Sequence, residues 1–192
     1  MSTTDGGHPQ MEPSTIDDPE VLIVDDDESI ANMNTYRVED IEGYRAKTAY
    51  NGQQALELIS TNTDVVLLDR RMPKMNGDEV LKRIHDIGYN TQIVMVTAVD
   101  PDVEIADMGF DDYITKPVGK ETISAVIEDQ MNIKRLNDVT NEIISIESKI
   151  EVLQDNDELT ELESNDEYQK LKRRLESLID TKSKIKRDLD VS

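Results

Sequence analysis

Val21-Leu22-Ile23-Val24-Asp25-Asp26-Asp27 is the stretch on which the reading of the whole chain turns. Its four apolar residues, three of them β-branched, are too few for a buried helix and suit a strand covered on both faces. Three adjacent carboxylates follow directly. Like charges at that spacing repel, so the cluster needs either water or a cation. The bland reading is a solvated turn in which Asp27 or Ser29 caps a following helix. The chemical reading is a site for a hard cation such as Mg²⁺, which takes one or two carboxylates and completes its octahedron with water and phosphate oxygens.

Outward from this stretch the same pattern repeats. Val65-Val66-Leu67-Leu68 and Ile93-Val94-Met95-Val96 are further apolar runs, with weaker strand candidates at 44–48 and 112–115. Between them lie helical stretches at 29–38, 52–59, 77–86, 103–108 and 120–131. Each longer one carries apolar residues at helical spacing, as with Val80, Leu81 and Ile84 or Ile123, Val126 and Ile127. Alternating strands and helices predict an α/β fold: a five-stranded parallel sheet with right-handed crossovers and helices on both faces. In the flavodoxin-like order 2-1-3-4-5 the first and third strands are neighbours. Asp69, ending the third strand, then stands beside Asp25 and Asp26. Thr97 ends the fourth strand and Lys116 follows the fifth. Ligands of open parallel sheets bind beyond the carboxyl ends of the strands, so these five polar groups converge on one crevice.

Composition narrows the chemistry. The chain has 192 residues, enough for one cored domain of about 100–130 residues and an accessory segment. It contains no Cys, so disulfides, thiolate metal sites and a Cys nucleophile are excluded. No apolar run is long enough to cross a bilayer, and residues 1–19 lack the apolar core of a secretory signal. They read as a disordered, acidic leader, and the protein as cytoplasmic. The net charge of −21 argues against nonspecific DNA binding by the chain as a whole. It is either a solvated acidic surface or, as we favour, an adaptation to high salt, where a Debye length of about 3 Å at 1 M relieves self-repulsion.

The ordered motifs resemble the receiver domain of two-component response regulators over residues 20–131. The resemblance rests on Val21 to Asp27, on Asp69-Arg70-Arg71-Met72-Pro73-Lys74-Met75-Asn76-Gly77, on Val94-Met95-Val96-Thr97-Ala98 and on Tyr113-Ile114-Thr115-Lys116-Pro117. It implies that Asp69 is the phosphoacceptor and that Asp25 and Asp26 form the acidic pocket. Mg²⁺ would be held by Asp26, Asp69 and the backbone carbonyl of Arg71, with Asp25 acting through water. Thr97 and Tyr113 would be the switch residues and Lys116 the phosphate-pairing lysine, joined to Pro117 by a cis peptide bond. The implied partner is a sensor histidine kinase or a phosphotransfer protein. Haloacid-type phosphatases share only the general fold and need a second Asp two residues after the nucleophile, where this chain has Arg71. The chain is therefore read as a phosphoacceptor and not as an enzyme acting on outside substrates.

Residues 120–192 contain neither Gly nor Pro and read as helical throughout. Leu136, Val139, Ile143, Ile146, Ile150 and Leu153 alternate by three and four residues, the a/d seam of a coiled coil. Asp155-Asn156-Asp157 interrupts it. A second seam runs through Leu171, Leu175, Leu178, Ile185 and Leu189, with Lys182 breaking the stripe. Two helices with a polar break predict a helical hairpin or a homodimer seam over 132–192. This segment resembles the HalX domain, a helical module that follows receivers in salt-loving archaea, through Lys149-Ile150-Glu151 and Tyr168-Gln169-Lys170-Leu171-Lys172-Arg173-Arg174-Leu175. The basic excess of the last helix has two readings: ion pairing with the acidic helix carrying Glu142, Glu147 and Glu151, or a face for DNA or an acidic partner. No base-reading motif is visible, and DNA binding through these helices stays as the alternative output.

Overall fold

A computed structural model describes residues 18–98, 108–156 and 162–190. In chain order the elements are β1 (Glu20–Val24), α1 (Glu28–Glu39), β2 (Arg45–Ala49), α2 (Gly52–Leu58), β3 (Thr63–Leu68), α3 (Gly77–Ile87), β4 (Gln92–Thr97), β5 (Asp112–Thr115), α4 (Lys120–Asn156) and α5 (Asp166–Leu189). The strands form one parallel sheet in the order β2-β1-β3-β4-β5, as the sequence predicts. The expected leader and the helix at 103–108 fall almost wholly outside the described residues.

The alternation of side chains along each strand explains why the strands read as continuous apolar runs. Leu22, Val24, Val66, Leu68, Ile93 and Met95 face α2 and α3, where Ala55, Val80, Leu81 and Ile84 complete one core. Val21, Ile23, Val65, Leu67, Val94 and Val96 face the other way, onto Val38 of α1 and Ile123, Val126 and Ile127 of α4. The central strands β1 and β4 are buried at every position, whereas the edge strand β2 is half-buried except at Ala49.

Helix ends are set by local chemistry. Asp27 caps α1, accepting from the Ser29 and Ile30 N–H groups. Asn51 caps α2. Asn76 and Glu79 form a reciprocal capping box on α3, and Gly88 ends that helix in the left-handed conformation.

α4 is one uninterrupted helix of 37 residues. It leaves the carboxyl end of β5, crosses the sheet and projects beyond its amino edge. There Lys134 donates to Asp64 at 2.9 Å and to the Asn90 carbonyl at 2.6 Å. The projecting part pairs with α5 as an antiparallel hairpin. Ile143, Ile146 and Leu178 are buried between the two helices, with Val139, Ile150, Leu171 and Leu175 packed around them. Arg174 grips Glu142 with two hydrogen bonds, at 2.7 and 2.9 Å. The predicted ion pairing between the two helices is thus present at this position. The expected interruption at Asp155 and Asn156 falls at the end of α4, and Lys182 sits half-buried on the α5 seam.

Candidate functional site

The carboxyl ends of β1 and β3 lie side by side because Val24 pairs with Leu68 in register. The Asp69 N–H continues the ladder by donating to the Val24 carbonyl at 2.8 Å, and the Asp25 N–H donates to Ala49 at 3.1 Å. These bonds fix where both carboxylates start. Asp25 and Asp69 are buried, at 3% and 6% exposure, while Asp26 faces solvent. One carboxylate oxygen from each of Asp25, Asp26 and Asp69 lies within 4.8 Å of the others.

Lys116 closes the cluster. Its backbone N–H donates to the Thr97 carbonyl at 2.8 Å, which ties the segment after β5 to the end of β4. Its Nζ donates to Asp25 Oδ2 at 2.6 Å and to Asp69 Oδ1 at 3.1 Å. The peptide bond from Lys116 to Pro117 is cis, as the resemblance to receiver domains implies. Burial pushes the Asp69 carboxyl above the ordinary carboxylate range; Lys116 opposes this, and the Asp25 and Asp26 charges add to it. Burial lowers the Lys116 ammonium, but its bonds and charge pairing with Asp25 and Asp69 outweigh that and raise it. The lysine is therefore held cationic between two anions.

Three carboxylates against one ammonium leave an excess of negative charge at a partly buried place, which a divalent cation would neutralise. Oxygen donors at this spacing fit Mg²⁺. The hydrogen bonds also divide the labour. Asp25 has one oxygen on Lys116 and the other on the Asp27 N–H at 3.0 Å. Asp26 accepts no such bond among the described residues and lines an open cleft of about 600 Å³ with Tyr50, Asn51, Gly52, Pro73 and Met75.

The loop 69–76 is shaped by Gly77. The Gly77 N–H donates to the Arg70 carbonyl at 2.8 Å, and a Cβ there would lie 2.5 Å from the Asp69 carbonyl oxygen. Only a glycine lets α3 start this close to the strand end. Arg70 turns away to pair with Asp78 at 3.1 Å, and Arg71 is exposed two residues beyond Asp69.

Thr97 is buried at the end of β4. Tyr113 pairs in register with Met95, so its side chain lies on the same face of the sheet as Thr97, one alternation behind it. The Tyr113 ring is half-buried and packs at 5.6 Å from Phe110.

The structure thus brings Asp25, Asp26, Asp69 and Lys116 into one cluster, with Thr97 and Tyr113 on the adjoining strands. In the sequence Asn51-Gly52 stands only at the start of the helical stretch 52–59. The structure bears out that role and also puts both residues on the wall of the cleft beside Asp26. No motif signals that placement, because it depends on how β2 and β3 are spaced.

The response regulator receiver domain profile matches residues 21–128, and the HalX domain profile matches residues 133–190. A Haloferax volcanii protein with a provisional description as a transcriptional regulator is 37% identical over 158 residues, which is 82% of this chain and 27% of that protein. The transcriptional regulatory protein CpxR of Escherichia coli is 34% identical over 110 residues, 56% of this chain and 47% of its own length. The chain therefore spans between about a quarter and a half of the curated relatives it matches. Among solved structures, the receiver domain of Francisella response regulator 1452 superposes with a TM-score of 0.54 at 32% identity, over 58% of this chain and 95% of that one. A CheY-like receiver from Methanospirillum hungatei gives 0.56 at 28% identity, over 60% and 95%. With the profile matched over more than half its length, the chain belongs to the response regulator receiver family, its receiver followed by a HalX domain.

Proposed function

We propose that the protein is the phosphoacceptor of a two-component system, taking a phosphoryl group on Asp69 from a histidine kinase or a phosphotransfer protein and changing the state of its helical hairpin. The observation that carries this reading is the Lys116 ammonium, bonded at once to Asp25 and Asp69 beside the exposed Asp26 carboxylate. An Asp69 oxygen attacks the phosphorus of a phosphohistidine. A P–O bond forms, the P–N bond breaks, and the departing imidazole takes up a proton. Both the attacking group and the phosphoryl oxygens are anionic, so the reaction is controlled by positioning and by cations near the developing charge. Lys116 supplies one such charge. Asp26, Asp69 and the Arg71 carbonyl would hold Mg²⁺, with Asp25 reaching it through water; when bound, the ion neutralises charge on the phosphoryl oxygens.

Once Asp69 carries phosphate, Thr97 has a new acceptor within reach of a modest movement, and Tyr113 follows into the space that Thr97 leaves. That pair is a two-state element biased by a local change of charge. An apolar groove formed by Ile30, Met33, Pro117 and Val118 opens beside Lys116 and would receive the donor protein. No described helix is long and apolar enough to cross a membrane, and we place the protein in the cytoplasm with its phosphodonor. We do not assign turnover of outside substrates.

Intact mass after incubation with acetyl phosphate and Mg²⁺ tests the reading. One added phosphoryl group is expected in the wild type and none in Asp69→Asn or in EDTA. Equal labelling of Asp69→Asn would overturn the assignment.

A second output has its own support. Relatives carry names as transcriptional regulatory proteins, and α5 carries eight bases against five acids. DNA binding through the hairpin predicts a mobility shift of promoter DNA that weakens steeply with salt. No shift at low salt would remove it.

A further inference from the structure

We infer that the α4–α5 hairpin carries a docking face for a second copy of this chain, so that two hairpins close into a four-helix bundle. A pair of helices can bury its seam from only one direction at each side. Ile143, Ile146 and Leu178 are shielded, but Ile150, Leu171 and Leu175 remain half-buried. Next to them Ile144 is 58% exposed and Ile179 is 46% exposed.

These residues fall on stripes. Ile144, Ser148 and Val152 follow one another by four along α4, as do Leu171, Leu175 and Ile179 along α5. The stripes share one side of the hairpin, because Ser148, Val152 and Leu153 line an open, mainly apolar groove together with Leu171. The receiver leaves this side uncovered.

Charge decides the occupant. Between 136 and 156, α4 carries five acids against one lysine, while α5 carries eight bases against five acids. A two-fold axis lying in the face and parallel to the helices sets the acidic helix of one copy against the basic helix of the other, satisfying both at once. A DNA duplex would meet the acidic helix as well as the basic one, which disfavours it on this face.

Area sets the strength. Helices of this length give a face roughly 25 Å long and about 20 Å across, near 500 Å² per copy. Two copies then bury about 1,000 Å², the threshold of a specific interface. The dimer is therefore weak and concentration-dependent. Each chain also carries a net charge of −21. Molar KCl, which screens that net repulsion, promotes pairing.

Sedimentation velocity of the full chain across protein concentration in low and molar KCl provides the test. The wild type is expected to move from 21.8 kDa towards twice that mass, most completely in molar KCl. Ile144→Glu and Ile179→Glu should stay monomeric with unchanged far-ultraviolet circular dichroism and unchanged phosphate uptake. A wild type that stays monomeric at every concentration and salt, or glutamate variants that dimerise as well as the wild type, would overturn the inference. Neither outcome touches the reading of Asp69, since phosphate uptake is scored separately by mass.

Discussion

Replacing Gly77 by alanine adds one methyl group at the point where α3 leaves the candidate site. The new Cβ would stand 2.5 Å from the Asp69 carbonyl oxygen, 2.8 Å from Arg70 Cα and 3.2 Å from the Asp69 carbonyl carbon. Ordinary contact begins at 3.4 Å, so the closest approach is short by about 0.9 Å. All three neighbours are backbone atoms, and no flexible side chain can yield. Alanine would otherwise stabilise a helical position by about 0.5–1 kcal/mol through propensity and a less free unfolded chain. Overpacking of this kind costs about 1–3 kcal/mol, so the clash wins, by roughly 1–2 kcal/mol. For a domain of this size that lowers Tm by about 4–16 °C. The displaced backbone is that of Asp69 itself, and a misplacement near 1 Å slows a positioned reaction by up to about a hundredfold. Thermal unfolding in molar KCl and the rate of labelling by acetyl phosphate read the two effects. Gly88→Ala is the control: its φ of +79° strains alanine, but nothing lies within 4 Å of the added atom. It should lose stability while labelling normally. A Gly77→Ala protein as stable as the wild type and labelled at the same rate would refute the packing argument.

Asp69→Asn should stabilise the metal-free protein at neutral pH. The folded-state pKa of Asp69 is raised, chiefly by burial, so its contribution to stability is fully present below the ordinary carboxylate range and is lost as pH rises through the folded value. Denaturant midpoints in EDTA should therefore favour the asparagine variant at pH 7 and converge in acid; equal midpoints at pH 7 would contradict it. Saturating Mg²⁺ should reverse the order, adding about 2.7 kcal/mol to the wild type at a hundred times Kd. Glu20→Ala removes a buried carboxylate that accepts from Thr63 Oγ1 at 3.0 Å and pairs with Lys47 at 3.0 Å; a loss of about 1–3 kcal/mol in chemical denaturation is expected, with phosphate uptake unchanged.

The sheet was legible because its signal is simple. A strand buried on both faces must be apolar through its middle, and β1, β3 and β4 each carry four consecutive apolar residues, at 21–24, 65–68 and 93–96, with polar residues only at their ends. β5 was found at its observed limits despite its polarity, because the Lys116–Pro117 pair marks its end. β2 begins at Arg45 and not at Tyr44, a shift that alternation cannot resolve on a half-buried edge strand. The acidic cluster and Lys116 were legible as types at strand ends. Their bond distances were not, since these depend on the register of β1 against β3 and on the Thr97 carbonyl holding Lys116. The buried contact of Glu20 with Thr63, and the half-buried one of Lys134 with Asp64, had no local signal at all. They join residues more than forty positions apart, and a lone Lys or Glu reads as surface.

Lys134 bears most directly on how the two domains are joined. The cluster at Asp69 lies at the carboxyl ends of the strands, whereas the hairpin leaves from the amino ends. A change at Thr97 or Tyr113 must therefore act on α4 as a body, for α4 touches both the sheet and α5. Where α4 passes the edge, Lys134 anchors it to Asp64 and to the Asn90 carbonyl, and Asn90 in turn donates to Asp138 at 3.2 Å. Asp64 also accepts the Glu20 N–H at 3.0 Å, so the anchor reaches the start of β1. Such an anchor makes the hairpin follow the receiver rigidly. Lys134→Met keeps the apolar stem and removes the charge, leaving Asp64 and the Asn90 carbonyl short of a donor. Hydrogen exchange should then accelerate around 132–142 without any change in Asp69 labelling. Unchanged exchange would mean that packing of Ile127 and Met131 on the sheet already fixes the helix, and that the lysine is incidental to its direction.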